Sequence, residues 1–90
     1  MAGFEWDPAK AARNLREHGI AFEEAITVFD DDRAIVEVDP NPDEARFKVI
    51  GMAAAGRVLA VIYTERGEDR VRIISAWKAT KHEIKAYRQG

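Results

Sequence analysis

The chain has no cysteine, so disulfides and thiolate-bound metals are excluded. Its two histidines, His18 and His82, stand too far apart in sequence for a His-x-x-x-His zinc motif. Asp30-Asp31-Asp32 is a bare acidic triplet without the shaped loop that calcium needs. There is no glycine-rich nucleotide loop, no internal repeat and no low-complexity segment. No cofactor and no metal are therefore expected. No apolar run approaches the roughly 20 residues of a membrane span. The opening Met-Ala-Gly-Phe-Glu-Trp-Asp lacks a positive region followed by an apolar stretch, so no secretory signal is read and the cytoplasm is the expected location.

What the chain does have is charge, and it is unevenly placed. The formal net charge is only −2. Residues 1–45 carry 4 basic and 12 acidic side chains, a balance of −8. Residues 46–90 carry 10 basic and 4 acidic ones, a balance of +6. A mixed solvated surface would be the plain account. A split this large also suggests that the basic half meets an anion. At 90 residues the chain reads as one domain, 1–90, burying about 60–65% of its unfolded surface.

Local signals order the elements. Gly3 to Trp6 suits a short strand. Asp7 as N-cap and Pro8 at the first helical position open a helix that runs to His18 and stops at Gly19, with Ala9, Ala11, Ala12 and Leu15 as its apolar stripe. Phe22, Ala25, Ile26 and Phe29 fit a second helix, with Ala21 a poor cap. Strands follow at 34–38, 46–52, 57–64 and 69–76, separated by turns rich in glycine, proline and acidic residues. Thr80-x-x-Glu83 forms a capping box for a last helix whose apolar contacts are Ile84 and Tyr87. The expected fold is α+β: an N-terminal helix pair, an antiparallel sheet of about four strands with a short N-terminal strand, and a C-terminal helix.

The candidate site lies on the sheet. Side chains alternate along a strand, so Arg70, Arg72 and Ile74 should face one way and Val71, Ile73 and Ser75 the other. Arg46 and Lys48 should share a face on a neighbouring strand. Guanidiniums side by side suit phosphates. The ordinary alternative pairs these cations with Glu65, Glu68 or Asp69 on a solvated surface. His18 is the usual type of proton carrier, though a histidine at a helix C-terminus also simply completes the cap. Lys78 and Lys81 flank the start of the last helix, where amides could help hold a phosphate. Trp77 could stack on a base or bury itself. If the strand is regular, Trp77 is out of phase with Arg72; the strand is expected to end near Ala76 and re-aim it.

Several segments resemble the BrnT toxin family. Phe4-Glu5-Trp6-Asp7-Pro8-Ala9-Lys10, Asn14-Leu15-Arg16-Glu17-His18-Gly19 and Phe22-Glu23-Glu24-Ala25 are similar to its first half. Glu44-Ala45-Arg46-Phe47, Val61-Ile62-Tyr63-Thr64-Glu65-Arg66 and Arg72-Ile73-Ile74-Ser75-Ala76 are similar to its second. The resemblance implies a RelE-like fold and a metal-independent endoribonuclease that inhibits translation. It implies a BrnA-like ribbon-helix-helix antitoxin as partner, RNA as substrate and operator DNA met only through the antitoxin, with no membrane. For such a reaction, the chemistry of the residues makes Arg72, Lys48 and His18 catalytic candidates and Arg46, Arg70, Lys78 and Lys81 RNA-binding candidates, and the resemblance adds position 77, here Trp77, to the catalytic set. The family usually has arginine where this chain has Trp77, which implies an attenuated enzyme. The alternative reading is a non-catalytic antitoxin-binding protein that modulates operator binding.

Overall fold

The computed structural model describes residues 3–90; Met1 and Ala2, where the stretch read for a secretory signal begins, lie outside the described residues. Strand β1 (Gly3–Glu5) leads into helix α1 (Pro8–His18) and the single-turn helix α2 (Phe22–Ala25). A 3-10 turn, Ile26–Asp30, follows. Strands β2 (Ile35–Asp39), β3 (Arg46–Met52), β4 (Val58–Arg66) and β5 (Arg70–Lys78) come next, then helix α3 (Lys81–Gln89). The five strands order as β1-β5-β4-β3-β2. All neighbours are antiparallel except β1, which runs parallel to β5 and makes the sheet mixed rather than antiparallel throughout. No helix is long and apolar enough to cross a membrane.

The helix ends follow their local chemistry. Asp7 accepts from the Ala9 amide at 2.9 Å, and Gly19 closes α1 in the left-handed region at φ 70°, donating to the Leu15 carbonyl. Thr80 and Glu83 form the reciprocal capping box of α3. The second helix departs from expectation. It tightens to 3-10 geometry after Ala25, and Ala21 offers no side-chain cap. Thr27 bonds instead to the Glu24 carbonyl at 2.7 Å and accepts from the Ala54 amide, tying this turn to the loop after β3. Gly51 is required beneath it: a Cβ there would stand 2.9 Å from both Ala34 and Val28.

One face of the sheet carries the main core. Val49, Leu59, Val61, Tyr63, Ile73 and Ala76 meet Ile20, Phe22, Ala25 and Val28, all buried. Helix α1 is attached differently from its apolar pattern. Ala9, Ala12 and Leu15 are exposed, Ala11 is half-buried, and the buried residue is Asn14. The reason is an unpaired backbone. Strand β1 pairs with residues 70–72 of β5 and stops, which leaves the rest of that edge open. Asn14 takes the place of a strand: its Oδ1 accepts from the Ala76 amide at 3.1 Å, and its Nδ2 donates to the Ala76 and Ile20 carbonyls at 2.9 Å each.

Candidate functional site

The second sheet face is covered at one end only. Trp77, Ala60, Ile50 and Ile35 lie side by side across β5, β4, β3 and β2. Ile84 and Tyr87 of α3 pack there. One row further, Ser75, Ile62, Lys48 and Glu37 are paired across the same strands. The next row holds Glu5, Arg72 and Thr64. Arg46 lies two residues from Lys48 on β3 and shares its face. These last two rows are not covered by α3.

Trp77 reaches this face because β5 is not regular. Ile62 pairs with Ser75 but Tyr63 pairs with Ile73, so Ile74 is an extra residue in the strand. The bulge reverses the alternation beyond it. Ser75 therefore joins the Arg72 face instead of the Ile73 face, and Trp77 comes into phase with Arg72. The strand does not end at Ala76; it continues to Lys78.

At the boundary between covered and open rows sits Glu83, whose side chain is 7% exposed. Its Oε1 accepts from the Trp77 indole at 3.1 Å and from the Thr80 amide at 2.9 Å. Its Oε2 accepts from Lys48 Nζ at 3.0 Å. Burial works against the Glu83 charge, but the Thr80 amide, Lys48 and Trp77 together hold its pKa below the usual carboxylate value. Burial also works against the Lys48 ammonium. Glu83, then Glu37 at 3.4 Å, outweigh it, and the Lys48 pKa is raised. Glu83 thus has two jobs, helix cap and lysine anchor. The capping motif revealed the first; the second joins residues 35 apart in sequence and leaves no local signal.

The arginines are also paired, though not with the expected acids. Glu5 on β1 accepts from Arg72 at 2.9 Å and Arg70 at 3.2 Å, with Arg66 at 3.9 Å. The Arg72 bond is the leading reason that the Glu5 carboxyl titrates below its ordinary value, with Arg70 next. Arg46 pairs with Glu44 at 2.7 Å. Glu65, Glu68 and Asp69 hold none of these cations among the described residues.

Beside the open rows, α1 forms one wall of a cleft of about 230 Å³. Lys10, Arg13, Glu17 and His18 line it from the helix, Ile74 and Ser75 from the bulge, and Arg46 from β3. The His18 ring centroid is 6.4 Å from that of Trp77. Lys10 and Arg13 belong to the acidic half of the sequence, which directed attention away from them. The structure therefore brings together Arg46, Lys48, Arg72, His18 and Trp77. Arg70 is exposed at the far end beside Glu5. Lys78 and Lys81 do not join the group: Lys78 pairs with Leu59 and so projects from the opposite face, and Lys81 lines a separate groove with Ile84, Lys85 and Arg88. Tyr87 is a packing residue whose hydroxyl donates to Asp31 Oδ2 at 2.6 Å. That carboxylate also accepts from the Met52 amide, so the acidic triplet contributes a structural clamp. Among the described residues no cluster of histidine, aspartate and glutamate is placed to hold a metal.

A solved toxin shares this α+β fold. The chain superposes on the Brucella abortus ribonuclease toxin BrnT with a TM-score of 0.67, at 23% identity, over 90% of this chain and 100% of that one. At that identity the likeness concerns the fold. None of the curated proteins matches the sequence. Residues 6–83 match the family described as the ribonuclease toxin, BrnT, of type II toxin-antitoxin systems. The chain belongs to this family, and membership implies an antitoxin partner.

Proposed function

We propose that this chain is a metal-independent endoribonuclease of the RelE type, held in check in the cytoplasm by a BrnA-like antitoxin, and that its cleavage of RNA inhibits translation. Operator DNA is then met only through the antitoxin. The observation that supports this reading is the convergence of Arg46, Lys48 and Arg72 on the uncovered rows of one sheet face, next to a cleft that adds Lys10, Arg13 and His18. RNA cleavage by the 2′-hydroxyl needs charge stabilisation on the phosphate and proton carriers on either side of it. Arg72 and Lys48 supply the charge. His18 is the residue suited to carry a proton near neutral pH. Arg46, Lys10 and Arg13 extend the positive track along the backbone.

A second reading has its own support. Arg46, Lys48, Arg70 and Arg72 each already hold a carboxylate. Phosphate must displace Glu5 from Arg72 before that guanidinium can act. This favours a domain that binds its antitoxin and tunes operator binding without cutting RNA. Trp77 strengthens the case. Its indole donates to Glu83 but carries no charge, so the cation paired with Glu83 among the described residues is Lys48. Where the family usually has arginine, a guanidinium would share Glu83 and loosen its hold on Lys48.

Incubating the purified chain with RNA separates the two. In the ribonuclease reading the chain cuts slowly, Trp77→Arg cuts faster, and Arg72→Ala lowers the rate by on the order of a hundredfold with little change in melting temperature. Equal rates for the present chain and Trp77→Arg remove the attenuation. Absence of cleavage by both, with antitoxin binding retained, selects the non-catalytic reading.

A further inference from the structure

Much of the negative charge of the acidic half has no part in the reading above. Much of it gathers around β2, the last strand of the sheet, whose outer edge has no strand beside it among the described residues. Val36 and Val38 on β2 pair with Val49 and Phe47, so their side chains lie on the main-core side. The cover does not reach them: Val36 is 56% exposed and Val38 77%. Just beyond, Val38, Pro40, Pro42, Ala45 and Phe47 surround an open cleft of about 410 Å³, room for a bulky apolar side chain. Exposed edges are usually blunted by charge or proline within the strand. Within Ile35–Asp39 the charges are Glu37 and Asp39, and both lie on the face opposite Val36 and Val38.

We propose that the antitoxin docks on this edge as a sixth strand, through an extended segment in which apolar side chains alternate with lysine or arginine. The inference rests on the family's antitoxin partner and adds where it binds and what it must carry. Main-chain hydrogen bonds to an open edge supply affinity, and alternate side chains supply specificity. The apolar set of the added strand continues the row of Val36 and Val38 and sends one side chain into the cleft. Its opposite set lies beside Ile35, Glu37 and Asp39 on β2. Residues 30–45 hold seven carboxylates, at Asp30, Asp31, Asp32, Glu37, Asp39, Asp43 and Glu44, against the single cation Arg33. Lys48 and Arg46 answer Glu37 and Glu44, while Asp39 and Asp43 make no ion pair among the described residues. The same charges argue against a second copy of this chain. Antiparallel pairing that sets Val36 against Val38 of a twin also sets Glu37 against Glu37, and like charges directly opposite each other are destabilising.

The test uses the full chain and the antitoxin of its own toxin-antitoxin pair. Size-exclusion with light scattering reports whether a complex forms; hydrogen exchange reports where. The expected result is a complex in which amides 35–39 gain protection, the protected antitoxin segment carries lysine or arginine, and affinity falls with salt. Val36→Lys and Val38→Lys should each weaken binding by about tenfold or more, while the melting temperature of the free chain barely moves because both side chains are exposed. A complex that leaves amides 35–39 unprotected and ignores both variants overturns the docking site but keeps the antitoxin. No complex at low salt rejects the antitoxin reading and the docking site together. A homodimer of the free chain that Val38→Lys dissolves assigns the edge to a second copy and overturns the proposal.

Discussion

On the α3 side of the sheet, the row Trp77, Ala60, Ile50 and Ile35 is apolar and lies under α3, while the rows beyond it carry the half-buried Ser75, Lys48, Arg72 and Arg46 around the buried Ile62 and Thr64. Both ends share strands β3, β4 and β5, with the bulge at Ile74 bringing Ser75 and Trp77 onto the Arg72 face. They differ in what lies above them: α3 is nine residues long and covers one end. Where α3 stops, polar groups keep access to water and avoid the full cost of desolvation, so charged side chains can occupy the sheet. Glu83 stands at the seam, buried like the covered row yet bonded to a lysine of the open one. The cationic face is therefore not a patch added to a finished fold. Its central lysine is oriented by the residue that caps the covering helix.

Substitutions at the two ends should differ in cost, most of all in the main core. Phe22→Ala empties a fully buried position in the main core and should cost about 3–5 kcal/mol. Ile84→Ala under α3 removes a half-buried side chain and should cost distinctly less. Thermal melts of both decide whether the covered end of the second face is a lesser core, and equal losses would sink that ranking. Asn14→Ala comes next. It leaves the Ala76 amide and the Ala76 and Ile20 carbonyls without their partner, a loss of about 2–3 kcal/mol. Asn14→Leu should recover none of it, because the deficit is in hydrogen bonds and not volume.

Glu83→Gln tests the seam itself. The amide oxygen can still accept from Trp77 and Thr80, but the charge facing Lys48 is gone. Stability should fall by about 1–2 kcal/mol. The Lys48 pKa should fall, since Glu83 helps to raise it. A nuclear magnetic resonance titration of the lysine side chain reads this directly; an unmoved Lys48 would show that Glu83 only caps the helix.

Acid should produce the gentlest change. Glu5, Glu24, Asp31, Glu44 and Glu83 all have folded pKa values below their ordinary ones. Each depressed carboxylate stabilises the fold above its unfolded pKa and loses that contribution as pH falls through the folded value. The melting temperature should therefore stay level from neutral pH down to about 5 and decline below about 4. In Glu83→Gln the decline should be shallower. A melting temperature that rises on acidification would contradict the sign.

The open face was partly legible in advance. Alternation alone placed Arg46 beside Lys48 and Arg70 beside Arg72. It failed beyond Ile73, because a bulge adds one residue and no residue type at Ile74 announces it. Regular alternation would set Trp77 out of phase with Arg72 and turn Ser75 to the Val71 and Ile73 face. The α1 stripe failed for another reason. Helical periodicity counts apolar residues, whereas this helix is anchored by an amide that satisfies the open backbone of β5.

Taken by itself, the sequence determined what short-range physics controls. Asp7, Pro8, Gly19, Thr80 and Glu83 set helix ends through bonds to backbone groups within a few residues, and the turns follow from residues that tolerate or enforce particular backbone angles. It also determined which strand positions are cationic. The tertiary structure decided which carboxylate each cation meets. Glu5 reaches Arg72 across 67 positions and Glu83 reaches Lys48 across 35. Such pairs depend on strand order, on the parallel seating of β1 and on where α3 lands. Those are set by the collective burial of the core, which no local window of residues contains.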